Sequence, residues 1–379
     1  MKLNKNKLAL ATLISSSLML SSGLANAGVE LVKVPVDGEE LSVVMGGYAK
    51  VDVRHVSGDV QYQDYWLANI PGGGPLDTSH TGFNIRESRV NFKVTKGDVY
   101  GVVEIDFYGD NGNANEVVSN SNNPRLRHFY FGYKNWMVGQ NWSTFMPLHS
   151  LPEALDFGGP HVGEVFIRQT QIRYTNGPWQ FAIENPETNG DGDVGRPSGA
   201  VGLSGSQADP DETIPDFVAR YNLTKDWGTV SFGALIRKVD QGGLDETAIA
   251  ASIAGKIKTV GKDDFRFSLQ LGEPGRYVAA AMTPDIVTNA DDQVEVEQTT
   301  AFTVAYRHFW NESTRSTAYY GQAETDVLGR KRSHGAINLI TDVTKSLNVG
   351  AELGQFSVDD EGILSFDSIY LQFSAKYAF

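Results

Sequence analysis

The chain has 379 residues, of which 41% are hydrophobic, 11% aromatic and 21% charged, with 40 glycines and no cysteine. A bundle of membrane helices is excluded because such a chain would be far more apolar, and the many aromatic residues argue against a disordered chain. Without cysteine there is no disulfide, thiolate metal site or cysteine nucleophile. The formal net charge of −14 argues against nucleic acid as a partner of the protein as a whole.

Residues 1–27 have the layout of a secretory signal peptide. Three lysines precede an apolar run from Leu8 to Leu20, and small residues lead to Ala25-Asn26-Ala27, an A-x-A cleavage site. The alternative is a single membrane anchor, but the apolar run is shorter than the ~20 residues that a span needs. Cleavage after residue 27 would leave 29 basic and 46 acidic residues, a formal charge of −17. We therefore expect a protein exported by a gram-negative bacterium.

The mature chain has no sustained helical stripe, but its segments alternate apolar with polar or small residues. In the last segment, Ile369, Leu371 and Phe373 alternate with Tyr370 and Gln372. A strand places successive side chains on opposite sides, so this pattern predicts one apolar and one polar face. The same pattern predicts sixteen strands, near residues 41–56, 82–95, 99–109, 126–133, 136–140, 166–175, 178–185, 216–224, 228–239, 247–260, 264–272, 297–308, 313–323, 334–343, 346–357 and 366–379.

The connections between these strands alternate between short turns and long loops. Short turns such as Lys96-Gly97-Asp98 and Asn176-Gly177 consist of turn-forming residues. The long loops cover roughly 57–81, 110–125, 141–165, 186–215, 240–246, 273–296, 324–333 and 358–365. This alternation is typical of an outer-membrane barrel with its turns in the periplasm and its loops outside.

A closed barrel explains the pattern better than a secreted β-sandwich or propeller. In lipid no backbone group finds water, so a sheet must close on itself. A sandwich would not need the alternation of short and long connections, nor aromatic residues at strand ends such as Tyr306, Phe309, Trp310, Tyr377 and Phe379. The sequence therefore predicts an all-β protein, with a transmembrane antiparallel β-barrel over residues 41–379 after a short periplasmic segment at residues 28–40.

Strand parity predicts a basic lining inside the barrel. The residues opposite the apolar face include thirteen basic side chains, namely Lys50, Arg54, Arg89, Lys93, Arg173, Arg220, Arg237, Lys256, Lys258, Arg266, Arg307, Arg315 and Lys376. Six acids share that face, namely Asp52, Glu87, Glu104, Asp106, Glu184 and Glu352. Guanidinium groups along a water-filled channel attract anions, although single arginines also serve to pair with acids. One β-bulge would reverse every assignment beyond it.

Several motifs resemble the DcaP-like porin family. The most specific are Gly139–Pro147 (GQNWSTFMP), Leu151–Pro160 (LPEALDFGGP) and Ile167–Tyr174 (IRQTQIRY). Gly47–Asp52 (GYAKVD), Arg86-Glu87-Ser88-Arg89 and the terminal Phe379 agree as well, and the resemblance extends over essentially the whole mature chain.

The resemblance implies a sixteen-stranded barrel assembled as a homotrimer, with loop 141–165 folded inward as a constriction. It also implies uptake of small anionic solutes such as dicarboxylates, and recognition of Phe379 by the barrel-assembly machinery. Family members with a periplasmic coiled coil carry a long heptad segment before the barrel. Here Val34-Pro35-Val36-Asp37-Gly38 cannot hold a helix, so barrel walls alone would hold a trimer.

Independently of the family, loop 141–165 is too apolar to extend freely into water. Folded into the pore, it would bury its aromatic and proline side chains against the wall and present acids and histidines to the channel. The alternative is a loop that lies flat over the barrel mouth or at a subunit contact. Our candidate constriction residues are Trp142, Phe145, His149, Glu153 and Asp156.

We interpret the chain as an outer-membrane porin for passive diffusion that favours small anions, in contact with outer-membrane lipid and lipopolysaccharide. The candidate lining residues are Arg86, Arg89, Lys93, Arg173, Arg220, Arg237, Arg266, Arg307 and Arg315. One alternative is a carbohydrate porin with an aromatic track of Trp142, Phe145, Tyr319 and Tyr370. Another is a barrel hydrolase, for which the sequence offers no convergent nucleophile, base and acid.

We expect no cofactor and no dedicated metal site. Acidic stretches at Asp191-Gly192-Asp193 and Asp209-Pro210-Asp211-Glu212 could bind calcium loosely, but neither has the full spacing of a calcium loop.

Overall fold

The computed structural model describes residues 28–60, 77–109, 122–159, 161–188, 212–241, 244–279, 283–289, 291, 293–361 and 365–379. The predicted signal peptide at 1–27 lies outside these residues, as do the acidic stretches at 191–193 and 209–211. Among the described residues, no helix is long and apolar enough to cross a membrane.

The described chain is mostly strand. The strands are β1 Val29–Val36, β2 Glu39–Gly58, β3 Thr78–Asn84, β4 Arg89–Lys96, β5 Val99–Gly109, β6 Asn123–Tyr133, β7 Trp136–Trp142, β8 Arg168–Asn176, β9 Trp179–Glu184, β10 Asp216–Lys225, β11 Gly228–Gln241, β12 Leu244–Lys258, β13 Asp264–Gly272, β14 Ile286–Thr288, β15 Val294–Val296, β16 Thr299–Phe309, β17 Thr314–Thr325, β18 Arg330–Asp342, β19 Leu347–Asp360 and β20 Phe366–Ala378. Three short 3₁₀ turns are Leu148–Ser150, His161–Gly163 and Gly275–Tyr277.

The sheet closes into an antiparallel barrel. Strand β20 pairs with β2 from Tyr48↔Ala378 to Gly58↔Ser368, which joins the two ends of the chain. Strands β3 and β4 both pair with β2 and count as one strand of the barrel wall. Strands β1, β14 and β15 are not counted as wall strands. The predicted closed barrel of sixteen strands is thus confirmed.

Alternate residues face lipid and interior, as the sequence pattern predicts. In β20, Ile369 and Phe373 are 54% and 53% exposed, whereas Tyr370 and Gln372 are each 1% exposed. A barrel in lipid requires this division because only its outer face meets hydrocarbon. Exposed aromatic side chains gather near the short turns, namely Tyr133, Trp136, Trp179, Trp227, Tyr306, Trp310 and Tyr377. Phe309 is an exception to the predicted girdle, because Arg307 lies over its ring at 5.0 Å.

The segment before the barrel forms a strand that the sequence analysis does not identify. Strand β1 pairs with the first half of β2 through a tight turn at Asp37 and Gly38, whose φ angles are 53° and 82°. Asp-Gly between two β-branched runs is the signal for such a hairpin. Strand β1 pairs with residues 39–45 of β2, and β20 pairs with β2 from Tyr48 onward. The two strands therefore lie one after the other along the same edge of β2.

The second wall strand is interrupted at residues 85–88. The Asn84 side chain accepts a hydrogen bond from the Arg86 amide at 2.6 Å, and the Ser88 amide donates to the Ile85 carbonyl at 3.0 Å. A side chain that bonds the backbone two residues on stabilises a turn in place of the ladder. The turn places the Glu87 carboxylate inside the barrel, where it accepts a hydrogen bond from the Tyr48 hydroxyl at 2.9 Å.

Three loops that the sequence predicts to be long are short. Strands β11 and β12 leave only residues 242–243 between them, β17 and β18 leave 326–329, and β19 and β20 leave 361–365. Charged residues such as Arg332 and Asp360 occupy the extended strand ends and pair with each other inside the barrel. These ends carry no apolar alternation, which is why the pattern misses them.

The register across the seam can be tested by cross-linking, because the chain has no native cysteine. Val51 faces Ala375 across β2 and β20, and directly opposed residues lie within disulfide range at about 4.5–5.5 Å between Cα atoms. We expect Val51→Cys with Ala375→Cys to cross-link on oxidation and to change the mobility of the denatured chain on a non-reducing gel. Val51→Cys with Ser374→Cys is the control, because those side chains point to opposite faces; equal cross-linking of both pairs would contradict the register.

Candidate functional site: the arginine-rich barrel interior

Loop L3, taken as residues 142–167, begins at Trp142, the last residue of β7, and returns to β8. Its apolar side chains do not extend into water: Phe145, Val162 and Val165 are fully buried and Met146 is 1% exposed. They belong to one apolar cluster with Leu235 of β11 and other inward side chains of the wall. Burial of such side chains contributes about 1.5–3 kcal/mol each, so it holds the loop to the inner wall.

Three predicted lining arginines bind the L3 backbone. Arg173 of β8 donates to the Trp142 carbonyl, Arg220 of β10 to the Met146 carbonyl, and Arg266 of β13 to the Leu151 carbonyl. Each guanidinium reaches inward from a different strand. The arginines therefore attach successive parts of the loop to the wall.

Glu153 is the acid through which L3 binds β16 and β17. Arg315 of β17 donates to both of its carboxylate oxygens, at 2.6 and 2.8 Å, and Arg307 of β16 donates at 3.0 Å. Burial alone would raise the pKa of Glu153, but the hydrogen bonds and charges of Arg315 and Arg307 outweigh it and lower that pKa to about 2. The carboxylate is therefore ionised at neutral pH.

The next residues of L3 bind a wall carboxylate through their backbone. The Leu155 and Asp156 amides donate to the two oxygens of Glu352 at 2.7 and 3.0 Å. The hydroxyls of Tyr319 and Tyr370 donate to the same carboxylate at 3.1 and 3.0 Å. The Asp156 side chain itself pairs with Arg54 of β2, and the Leu155 carbonyl accepts a hydrogen bond from Gln372 of β20 at 2.8 Å. This part of the loop therefore binds β2, β19 and β20.

The side chains of the predicted aromatic track pack against other groups of the protein. Phe145 is fully buried, and Tyr319 and Tyr370 are 5% and 1% exposed, with their hydroxyls engaged by Glu352. Trp142 is half-buried between the guanidiniums of Arg127 and Arg168, which lie 5.6 and 4.9 Å from its rings. The rings of the track are therefore part of the protein interior rather than a continuous surface for sugars.

The remaining predicted residues have diverse partners. Arg89 lies 3.5 Å from Glu104, Lys93 lies 5.7 Å from the Tyr100 ring, and Arg86 donates to Asn122 at 2.5 Å. Arg237 pairs with Asp216 and Asp285. His149 is half-buried, with its Nε2 atom 3.4 Å from the Ser231 hydroxyl. Lys258, by contrast, is exposed at the end of β12.

Arg127 lies inside the barrel although strand parity does not place it there. The pairing of β5 with β6 shifts between Glu104↔His128 and Ile105↔Leu126, so Arg127 is the extra residue of a β-bulge. It is 2% exposed and donates to Glu104 and Asp106, each at 2.8 Å.

Arg276 and Arg332 are also buried, at 5% and 2% exposure. Arg276 lies in a loop, where no strand period assigns a side, and Arg332 lies in a strand end beyond the predicted boundary.

The basic and acidic side chains inside the barrel are closer in number than the thirteen and six that strand parity predicts. Asp216, Asp264, Asp342 and Asp360 are inward partners of arginines that strand parity omits. Arg173 and Arg220 differ, because among the described residues neither has a carboxylate within 4.0 Å. Their bonds go to neutral oxygens of Gln171, Thr144, Gln180 and the L3 backbone.

A cavity of about 270 Å³ lies beside L3. Its walls combine Arg89, Arg127, Lys256, Arg266 and Arg307 with side chains of the loop that include Trp142, His149, Glu153 and Asp156. The described residues contain no group of three or more histidine, aspartate or glutamate side chains suited to a metal ion. The chemistry available to a solute is therefore ionic, with aromatic surface beside it.

Residues 24–178 match the model of the DcaP outer membrane protein family. The crystal structure of the outer membrane channel DcaP of Acinetobacter baumannii superposes with a TM-score of 0.75, at 18% identity over 92% of this chain and 100% of that one. The chain is therefore similar to the DcaP outer membrane proteins in sequence over residues 24–178 and in fold over most of its length. No curated protein matches its sequence.

Two further porins share the fold of this DcaP-like protein. An anion-selective porin from Comamonas acidovorans has a TM-score of 0.56 at 12% identity, covering 90% of this chain and 100% of that one. Salmonella typhi OmpF, in a complex with daunomycin, has a TM-score of 0.53 at 15% identity, covering 92% and 100%. The family and the fold place the DcaP-like chain in the outer membrane as a porin channel.

The role of Glu153 can be tested with Glu153→Gln, which keeps the size of the side chain and removes its charge. Breaking one side of a buried ion pair costs about 3–5 kcal/mol, so we expect the middle of L3 to detach from β16 and β17 and the open-channel current to become noisier. Single-channel recording measures this. Asp226→Asn, at an exposed short turn, is the control, and an equally quiet Glu153→Gln channel would argue against the anchoring role.

Proposed function

We propose that the DcaP-like chain forms a trimeric, water-filled channel for passive diffusion that favours small anions such as dicarboxylates and other organic acids. The observation that carries this proposal is the pair Arg173 and Arg220, whose guanidiniums bond only neutral oxygens in the described part of the chain. The charge of Glu184 acts on both, but its carboxylate lies more than 4.0 Å from either. Most other inward arginines have a carboxylate beside them, so their charge is compensated within the protein.

A guanidinium that is not paired with a carboxylate acts on the solutes in the channel. In a narrow space with low-dielectric walls, a fixed charge raises the local concentration of mobile counter-ions. The neutral oxygens of Gln171 and Gln180 hold Arg173 and Arg220 in place at 3.0 Å without cancelling their charge. Carboxylates also suit the forked geometry of a guanidinium. Small organic anions would therefore concentrate beside these two residues.

The contacts of L3 support a constriction at the same level. The loop binds inward side chains of β2, β8, β10, β13, β16, β17 and β19, so a solute that crosses the barrel must pass it. The structurally similar Comamonas acidovorans porin is anion-selective, which favours the same selectivity here. The burial of Phe145, Tyr319 and Tyr370 weighs against the carbohydrate alternative, and the porin family and fold favour a channel over the hydrolase.

Charge selectivity is the direct test. We expect Arg173→Gln with Arg220→Gln to move the reversal potential in a KCl gradient toward cation preference, with the chloride-to-potassium permeability ratio falling roughly twofold or more because two wall charges are lost. The control is Lys134→Gln with Lys225→Gln, which removes two exposed charges at short turns. The proposal fails if the parent channel is cation-selective or if both double variants shift equally.

Solute preference can be measured with liposomes. We expect succinate to enter liposomes that contain the protein several-fold faster than a neutral sugar alcohol of similar size, because the fixed charges enrich the anion. The ratio should fall toward one in the Arg173→Gln, Arg220→Gln variant. Faster entry of neutral oligosaccharides than of succinate would support the carbohydrate porin in its place.

A further inference from the structure

A second loop enters the barrel and pairs with L3. Loop L6, residues 273–298, connects β13 to β16. The Phe166 amide donates to the Tyr277 carbonyl at 3.0 Å and the Ala279 amide to the Glu164 carbonyl at 2.9 Å, which makes Val165 and Val278 directly opposed in an antiparallel bridge. The two loops thus share a short piece of β-ladder.

The contact between the loops is fully buried. Tyr277, Val278 and Ala279 of L6 have 0% exposure, as do Phe145 and Val165 of L3. The rings of Phe145 and Tyr277 meet edge to face with centroids 6.2 Å apart, a favourable geometry for aromatic pairs. Apolar packing therefore reinforces the backbone pairing.

The same part of L6 binds the wall through a dense charge network. Arg276 donates to the Asp216 carboxylate of β10 at 2.9 Å. The single proton of the Tyr277 hydroxyl is shared between Asp216, at 2.8 Å, and Glu184 of β9, at 3.2 Å. Arg237 of β11 bonds Asp216 at 3.2 Å and also pairs with Asp285 of L6. Two arginines and two aspartates thus fix the loop to β10 and β11, and Tyr277 with Glu184 fixes it to β9.

Glu184 connects this network to L3. One of its carboxylate oxygens accepts the Tyr277 hydroxyl, and the other accepts the Thr144 amide of L3 at 2.7 Å. Gly275 allows the sharp entry into the turn, with φ +46° and no room for a Cβ atom beside Asp285. L6, like L3, is therefore held in the barrel by hydrogen bonds between particular side chains and backbone groups.

The L6 network and the cavity beside L3 lie on different parts of the wall. The cavity is lined by side chains of β2, β4, β6, β12, β13 and β16, together with L3 and residue 87. No described residue of β8 to β11 lines it. The L6 segment occupies the inner surface of β9, β10 and β11, where its residues fill the space that would otherwise widen the passage.

We propose that L6 is a second constriction element of the channel: residues 275–279 and 283–285 close the side of the barrel at β9 to β11, and, by pairing with residues 164–166, they hold the returning arm of L3. At the level of Glu184, Asp216 and Arg237 the passage is thereby confined to the side of the cavity. Arg173 and Arg220 lie nearer the short turns of their strands, beyond this closure. This inference concerns the size and position of the passage and holds whichever solutes are preferred.

A disulfide tests the pairing. Val165 and Val278 form a non-hydrogen-bonded pair, whose Cα atoms in antiparallel sheets lie about 4.5 Å apart, within disulfide range. We expect Val165→Cys with Val278→Cys to form the disulfide on mild oxidation and to conduct equally in the oxidised and reduced states. Thiols that stay free after oxidation of the folded barrel would overturn the proposal.

A second variant tests the constriction. Arg276→Ala with Tyr277→Ala and Asp285→Ala removes the side-chain anchors that hold L6 to β9, β10 and β11. We expect the single-channel conductance of this triple variant to rise roughly 1.5-fold, with larger neutral solutes admitted, because pore width limits conduction. Asp291→Ala, at an exposed position of the same loop, should leave both unchanged. Heat-modifiable migration on gels identifies variants with a folded barrel. A folded triple variant with the conductance and size limit of the parent would overturn the proposal.

Discussion

The hydrogen-bond demand of backbone groups in lipid is the constraint on which this structure depends. Because no water reaches the outer wall, the sheet must close, and the closing pair β2 with β20 supplies the last ladder. Closure then sorts side chains by position: apolar groups such as Ile369 and Leu371 face lipid, and polar groups such as Gln372 face inward. The interior consequently receives many charges in a limited volume, and those charges need partners.

Arginine meets that need for partners in a way that lysine would not. A guanidinium carries five donors in a fixed plane, so Arg307 can bond Asp264 of the wall and Glu153 of L3 at the same time. Arg315 likewise bridges Glu153 and Asp342. Each of these arginines satisfies a wall acid and fixes a loop acid. The inward arginines therefore mainly hold loops inside the barrel. Only those without a paired carboxylate are available to attract solutes.

The strands were predictable because a barrel in lipid imposes a period of two, which the sequence carries plainly. The inward residues were predictable only as far as that period is unbroken. Arg127 is not predicted to face inward because one bulge in β6 turns an additional residue inward. Arg276 is not predicted because loops have no period. The contacts that define the candidate site, such as Leu155 with Glu352, join residues 197 positions apart. Nothing in local sequence specifies such a pairing; it follows from closure and from the shape of the buried loops.

The net charge of the chain illustrates the difference between composition and site. A formal charge of −14 belongs to the chain as a whole, and the interior acids largely cancel the interior arginines. The charge that a solute meets at the constriction is set by the few inward groups that have no paired group of opposite charge. Arg173 and Arg220 lie on β8 and β10, next to the wall surface that L6 occupies, and both donate to L3 carbonyls. The loops that narrow the passage therefore also set which cations remain uncompensated beside it, so that pore size and charge preference arise from one set of contacts rather than two.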